Sequence, residues 1–254
     1  MWRFAVARVT GSSHLRTGTP CQDRAGCALL PGGTLVAAIA DGAGSASRAE
    51  LGAATAIQAA LGRLRLDLAD PAADPTSALR GAALHARDAI LTLAKEKGEE
   101  ARSYASTLLL VAVTPRGGGA LQIGDGVVVV GTGGDGWSWM FWPQRGEYAN
   151  TTFFLTDDDA PGHMEVGAFG GTPTDVAVMT NGLEPLALHY ASRSVHEPFF
   201  EGMFQPLVDA GGSHEIGHLS TSLETFLSSE RIRGRTDDDV SLILATRRSA
   251  AVPT

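Results

Sequence analysis

LVAAIADGAGS, residues 35–45, runs through six apolar residues without a polar interruption and then stops on Asp-Gly. A strand with one wet face alternates apolar and polar residues, whereas a short unbroken apolar run bounded by turn residues fits a strand covered on both sides. VAVMTNGLEPL, residues 176–186, has the same form but stops on Asn-Gly. STLLLVAVTP (106–115), ALQIGDG (120–126) and VVVVGTG (127–133) read as further strands, separated by Gly-rich turns. RFAVARVTG (3–11) opens the chain as a strand and RTDDDVSLILAT (235–246) closes the fold as one. GCALL and TLVAAIAD flank Pro-Gly-Gly as a hairpin.

Between the strands, residues 45–68 and 77–100 carry apolar residues at three- and four-residue steps, the period of two long amphipathic helices. Ser45 or Ser47 is the expected cap of the first, and a Pro-broken turn at 69–77 separates the pair. The stretch 11–24 reads as a loop, 137–171 as irregular and aromatic-rich, and 184–230 as a helical and looped insert with its clearest helix at 196–210. Strands and helices clustered in this way give an α+β fold rather than an alternating parallel sheet. A single domain spanning 1–254 is expected, with two antiparallel sheets and helices outside them, so that each sheet is buried on both faces.

Composition removes several function classes. The 254 residues carry 28 Asp and Glu against 20 Lys and Arg, a net charge of −8, which disfavours a general nucleic-acid binder. No run approaches the length of a membrane-spanning helix, and Arg8 and Thr10 break the first apolar run before a signal-peptide core forms. Cys21 and Cys27 are expected as reduced thiols in a cytoplasmic protein.

Acids gather at strand ends beside glycine or other acids: Asp23 in CQDR, Asp41 in ADGAG, Asp125 in GDG, and Asp237, Asp238 and Asp239 in TDDDVS. Asn181 in TNGL completes the set. A carboxylate next to glycine suits a hard cation, because the bare glycine lets a carbonyl or a water approach as well. Converging acids repel one another unless cations neutralise them. Each Asp-Gly taken alone is equally a turn pair.

The order of these segments resembles the metal-dependent Ser/Thr protein phosphatases of the 2C family, particularly the compact bacterial branch. GTPCQDRAG, IADGAGS, YASTLLLVAV, LQIGDG, VMTNGLEPL and DDDVSLIL fall in the family's order, with two long helices in the expected gap. The resemblance implies a β-sandwich of two antiparallel sheets flanked by antiparallel helix pairs, with two Mn²⁺ or Mg²⁺ ions and a weaker third at one end. It implies that Asp41 bridges two ions, that the Gly42 carbonyl binds one and Asp238 the other, and that Asp23 holds a metal water, with Gln22 where many members have Glu. Asp125 matches the acid of the third ion. The implied reaction is hydrolysis of phosphoserine or phosphothreonine on proteins by a metal-activated water, with a phosphoprotein made by a Ser/Thr kinase as partner. Arg16 is the candidate phosphate fork and His14 the candidate proton donor to the leaving group.

Asn181 departs from this pattern by standing where the family's metal-binding Asp is expected. An amide oxygen still coordinates Mg²⁺ or Mn²⁺, but without charge. A catalytically impaired phosphoprotein-binding or scaffold domain is therefore the alternative to a working phosphatase. A rival enzyme reading comes from His214-Glu215-Ile216-Gly217-His218, which matches the H-E-x-x-H helix of zinc proteases. The aromatics Trp137, Trp139 and Trp142 read as one face of a strand, and Asp157-Asp158-Asp159 as a solvated loop.

Overall fold

A computed structural model describes residues 1–70, 72–133, 136–146, 152–212 and 214–249. Pro71 of the inter-helix turn, 147–151 of the aromatic-rich stretch and Ser213 before the His-Glu pair lie outside the described residues. The chain runs β1 (Arg3–Val9), α1 (Ser12–Thr17), β2 (Arg24–Leu29), β3 (Leu35–Ala40), α2 (Ala49–Asp67) and α3 (Pro75–Lys97). It continues β4 (Leu108–Thr114), β5 (Gly117–Ile123), β6 (Val127–Gly131), β7 (Trp137–Trp139), α4 (Ala160–His163), β8 (Glu165–Ala168) and β9 (Asp175–Met179). Then come α5 (Glu184–Ala187), β10 (Leu188–His189), β11 (Ser194–Val195), α6 (Glu197–Asp209), β12 (His214–Glu215), α7 (Gly217–Leu227), α8 (Glu230–Arg233) and β13 (Val240–Thr246).

Two large sheets result, ordered β2-β3-β4-β5-β8 and β12-β1-β13-β9-β6-β7. Their pairings are antiparallel except at one edge, where the two-residue β12 lies parallel to β1, a departure from the expected all-antiparallel sandwich. The unbroken apolar run in β3 now has its reason. Leu35, Ala37 and Ile39 point inward and meet Phe4, Val128, Val176, Val178 and Ile243 of the facing sheet. Val36, Ala38 and Ala40 point outward and meet Ala53, Ala56 and Ala60 of α2 and Leu79, Ala82 and Ala86 of α3. With both faces dry there is no position for a polar alternation. On the other sheet, Ala5, Ala7, Leu242 and Leu244 pack outward against Phe200, Phe204 and Leu207 of α6 and Leu223 and Leu227 of α7. Residues 184–230 thus do more than hang from the fold as an insert: their helices seal the outer face of the second sheet.

Two local expectations are corrected. The 11–24 loop contains the short helix α1, closed by Gly18 in the left-handed region. Neither Ser45 nor Ser47 caps α2; the cap position is Arg48, whose N–H is taken by the Ser103 carbonyl at 2.8 Å. Ala46 N and Ala49 N close turns onto the Ala43 and Ala46 carbonyls, so the helix begins later. By contrast α3 begins as its chemistry dictates, with Asp74 Oδ2 accepting from Ser77 N at 2.8 Å and Pro75 in the first turn. The aromatic reading holds in part: Trp137 stacks within 5.3 Å of Phe200 and 4.9 Å of Phe204, while Trp139 and Trp142 meet edge to face. Cys21 and Cys27 are free thiols.

Where α2 crosses the turn before β4, a Cβ on Gly52 would stand 2.0 Å from the Tyr104 carbonyl oxygen. Ala normally improves a helix interior by up to about 1 kcal/mol over Gly. Here backbone meets backbone and cannot yield by a rotamer change. Gly52→Ala is expected to lower stability by about 1–3 kcal/mol in urea denaturation, and a stabilised variant would contradict this packing.

Candidate functional site

Antiparallel register collects the strand ends at one rim of the sandwich. Arg24 pairs with Ala40, Leu108 with Ile123, Val9 with Val240, and Met179 with both Leu242 and Val127. Asp23, Asp41, Asp125, Asn181 and Asp238 each lie one or two positions beyond one of these strand ends. The two sheets are tied together there. Thr180 Oγ1 donates to Asp23 Oδ2 at 2.9 Å and accepts from Ser241 N at 3.0 Å. Thr107 N donates to the Asp41 carbonyl at 2.8 Å, its hydroxyl accepts from Asp41 N at 3.0 Å, and Gly42 makes a β-bridge with Ser106.

Asp239 organises the opposite wall. Its buried carboxylate accepts from Gly11 N at 2.7 Å and Gln22 N at 2.6 Å, and His14 Nδ1 stands 3.0 Å away in an ion-pair contact without hydrogen-bond alignment. These contacts fasten the α1 loop to the entry of β13. A Cβ on Gly11 would lie 2.3 Å from the Asp238 carbonyl carbon, so this approach requires a bare residue. Among the described residues the carboxylate of the neighbouring, exposed Asp238 accepts one hydrogen bond, from Asp239 N at 2.9 Å, and its charge acts on Asp41. Asp239 was visible in the sequence as one of three acids, but which of them turns inward is decided by the loop it anchors.

The electrostatics are those of a crowded carboxylate cluster. Burial pushes the Asp23 carboxyl up to about 7, with the Asp239 and Asp238 charges adding to the rise. Burial, then the charges of Asp23, Asp238 and Asp125, hold Asp41 well above the usual carboxylate range. Asp125 and Asp238 are raised for the same leading reason. Asn181 Nδ2 donates to Asp125 Oδ2 at 3.2 Å, a bond that an ionised carboxylate at this position could not make. Glu184, three residues further on, is lifted by burial to about 7. It was not singled out from the sequence, because a glutamate beside proline carries no signal of its own.

Among the described residues, no three His, Cys, Asp or Glu side chains already close into a metal-ligand group. The donor set nonetheless fits a hard divalent cation. It is all oxygen, its acids raise one another's pKa, and the buried Asp23 Oδ1 and Asn181 Oδ1 have no hydrogen-bond partner. Hydrogen bonds and mutual charge effects link Asp23, Asp41, Asp125, Asn181 and Asp238, and His14 reaches the same rim through its contact with Asp239, the neighbour of Asp238. Arg16 lies further out: its side chain is 66% exposed and pairs with Asp237 at 3.5 Å. The zinc-protease reading fails. His214 and Glu215 lie in β12 and His218 on the first turn of α7, so the two histidines do not share one helix face. The Asp157–Asp159 run is spent locally, Asp157 accepting from Phe154 N and Asp159 pairing with His163.

A carboxyl raised in the folded chain holds a proton that the unfolded chain has already released. Its effect on stability is therefore unfavourable as pH rises from 3.8, the ordinary Asp value, to about 7 for Asp23. The metal-free protein is expected to show a falling urea midpoint between these limits. A midpoint that rises across that window would contradict the buried-cluster electrostatics.

Comparison with known proteins agrees with this geometry. The family described as protein phosphatase 2C matches residues 10–228. A relative from Escherichia coli (strain K12), serine/threonine-protein phosphatase 3, is 34% identical over 249 residues, covering 96% of this chain and 98% of its own. The catalytic domain of the serine threonine protein phosphatase PstP, in complex with 2 manganese ions, superposes with a TM-score of 0.64 at 17% identity, covering 96% and 97% of the two chains. Serine/threonine phosphatase Stp1 from Staphylococcus aureus gives 0.67 at 14% identity, covering 98% and 96%. These structural likenesses carry the sandwich fold, and the sequence matches carry the lineage: the chain belongs to the protein phosphatase 2C family.

Proposed function

We propose that this chain hydrolyses phosphoserine and phosphothreonine on proteins, using two Mn²⁺ or Mg²⁺ ions at the acid rim. The observation that carries the reading is the cluster of raised, mutually repelling carboxylates with orphaned oxygens at one end of the sandwich. The Escherichia coli relative's name as a Ser/Thr-protein phosphatase and the manganese ions of the PstP domain support it. Asp41, the Gly42 carbonyl, Asn181 and Asp238 would hold the two ions, Asp23 would orient a water on them, and Asp125 would serve a weaker third. When bound, such ions polarise a phosphoryl oxygen and make a water nucleophilic at neutral pH.

The chain's own residues supply the rest. Thr180 holds Asp23 in place, and Asp239 fixes the α1 loop with His14 beside it, where the imidazole would serve as proton donor to the departing serine or threonine oxygen. Arg16 would meet the phosphate only on release from its exposed pair with Asp237, a weak tie. We further infer that the substrates are products of a Ser/Thr kinase in the cytoplasm. Among the described residues no helix is long and apolar enough to cross a membrane.

Asn181 sets the level of activity. Its amide satisfies Asp125 in the metal-free state but brings no charge to the ions. Mn²⁺-dependent phosphate release from a phosphothreonine peptide is expected to rise about tenfold in Asn181→Asp and to fall at least about 100-fold in Asp41→Asn. If neither the parent chain nor Asn181→Asp turns over while phosphopeptide still binds, the chain is a binding domain and the hydrolytic reading fails.

A further inference from the structure

A pocket lies away from the acid rim, on the outer face of the sheet that contains β1 and β13. It encloses about 390 Å³ between α6 and α7 and shares no residue with the acid cluster. Ala5 of β1 and Leu244 of β13 form its floor, and both are buried. Phe199, Met203 and Leu207 line one wall; Leu223 and Phe226 line the other. Gly202 of α6 lines the opening. A Cβ there would meet nothing within 4 Å, so no side chain fills the gap.

Among the described residues, Arg231 of α8 is the one charged side chain that lines this apolar space. Its side chain is exposed and makes no hydrogen bond or ion pair with the described residues. A lone guanidinium beside a recessed apolar slot matches a ligand with one anionic head and an aliphatic tail, and its planar fork suits a carboxylate. A dianionic phosphate head would call for further cations, and among the described residues no other cation lines the pocket. A protein partner fits less well. Stable protein interfaces bury about 800 Å² per side around projecting apolar anchors. The exposed large apolar side chains among the described residues are Met1, Leu15, Leu51, Leu66 and Tyr190, and none of them lines the pocket. The apolar surface here is sunk between the helices, where a small ligand enters and a flat partner cannot follow.

We propose that the α6–α7 pocket binds a free long-chain carboxylate, with its tail between Phe199, Met203 and Phe226 and its head on Arg231. Met203 suits such a tail because its unbranched thioether adapts to a flexible chain.

Calorimetric titration of the full chain with sodium laurate, below its micelle concentration, tests this. Saturable one-to-one binding is expected. Gly202→Leu, which fills the gap at an open helical site and raises helix propensity, is expected to keep or raise the melting temperature and to abolish binding. Arg231→Gln is expected to weaken laurate at least about tenfold while leaving dodecanol unchanged. Absence of saturable laurate binding by the folded parent chain overturns the proposal, as does equal binding by both variants. If laurate does not bind and sedimentation instead shows a dimer that Gly202→Leu disperses, the pocket belongs to a second copy and the proposal fails.

Discussion

Carboxylates crowded at one rim, from the buried Asp23 through the half-buried Asp41 and Asp125 to the exposed Asp238, set the terms for the rest of this molecule. Asp23 is fully buried, and Asp41 feels the charges of Asp23, Asp125 and Asp238 together. Desolvation and like-charge repulsion both oppose ionisation, and no arginine or lysine forms an ion pair with any of these four acids among the described residues. An arrangement that costs stability on its own has to be held by something else. Here the holder is the pair of dry sheets, whose register delivers every acid to the same rim, and the Asp239 carboxylate, which ties the α1 loop to β13 through two backbone amides.

The sheets can bear that cost because each is covered twice. Alternate residues of β3 meet the opposite sheet and the α2–α3 pair, and alternate residues of β13 meet the opposite sheet and α6–α7. Core stabilisation is therefore spread over three apolar layers, and the rim is the place where the strands run out and polar side chains take over. The local strain of the site is met with small residues and hydroxyls: glycine at position 11 permits a backbone approach, and Thr180 binds Asp23 without adding charge.

Much of this was legible in the sequence. Unbroken apolar runs such as 35–40 mark strands buried on both faces, and the helical period of 45–68 and 77–100 marks the pair beside them. The acids were legible as a set because their order along the chain resembles one family's order. What stayed hidden depends on tertiary partners. Arg48 N is claimed by Ser103, which moves the start of α2, and α1 forms in a stretch with no apolar period because Gly11, Gly18 and Asp239 close it off. His214 and His218 match a zinc motif by spacing alone, yet β12 and α7 divide them, since His214 takes a positive φ at the sheet edge. The roles of the adjacent Asp238 and Asp239 could not be separated by spacing, because one turns to backbone amides and the other to the acids.

On the proposed function, a divalent cation relieves the repulsion among Asp23, Asp41, Asp125 and Asp238. Thermal denaturation of the parent chain and of Asp41→Asn, each with and without Mn²⁺ at neutral pH, tests it most directly. Asp41→Asn removes the cost of burying a carboxyl that the unfolded chain would ionise, so it should raise the melting temperature of the metal-free protein. Mn²⁺ should raise that of the parent and leave Asp41→Asn nearly unmoved. A metal-free Asp41→Asn protein that melts below the parent, or a parent indifferent to Mn²⁺, would contradict the account.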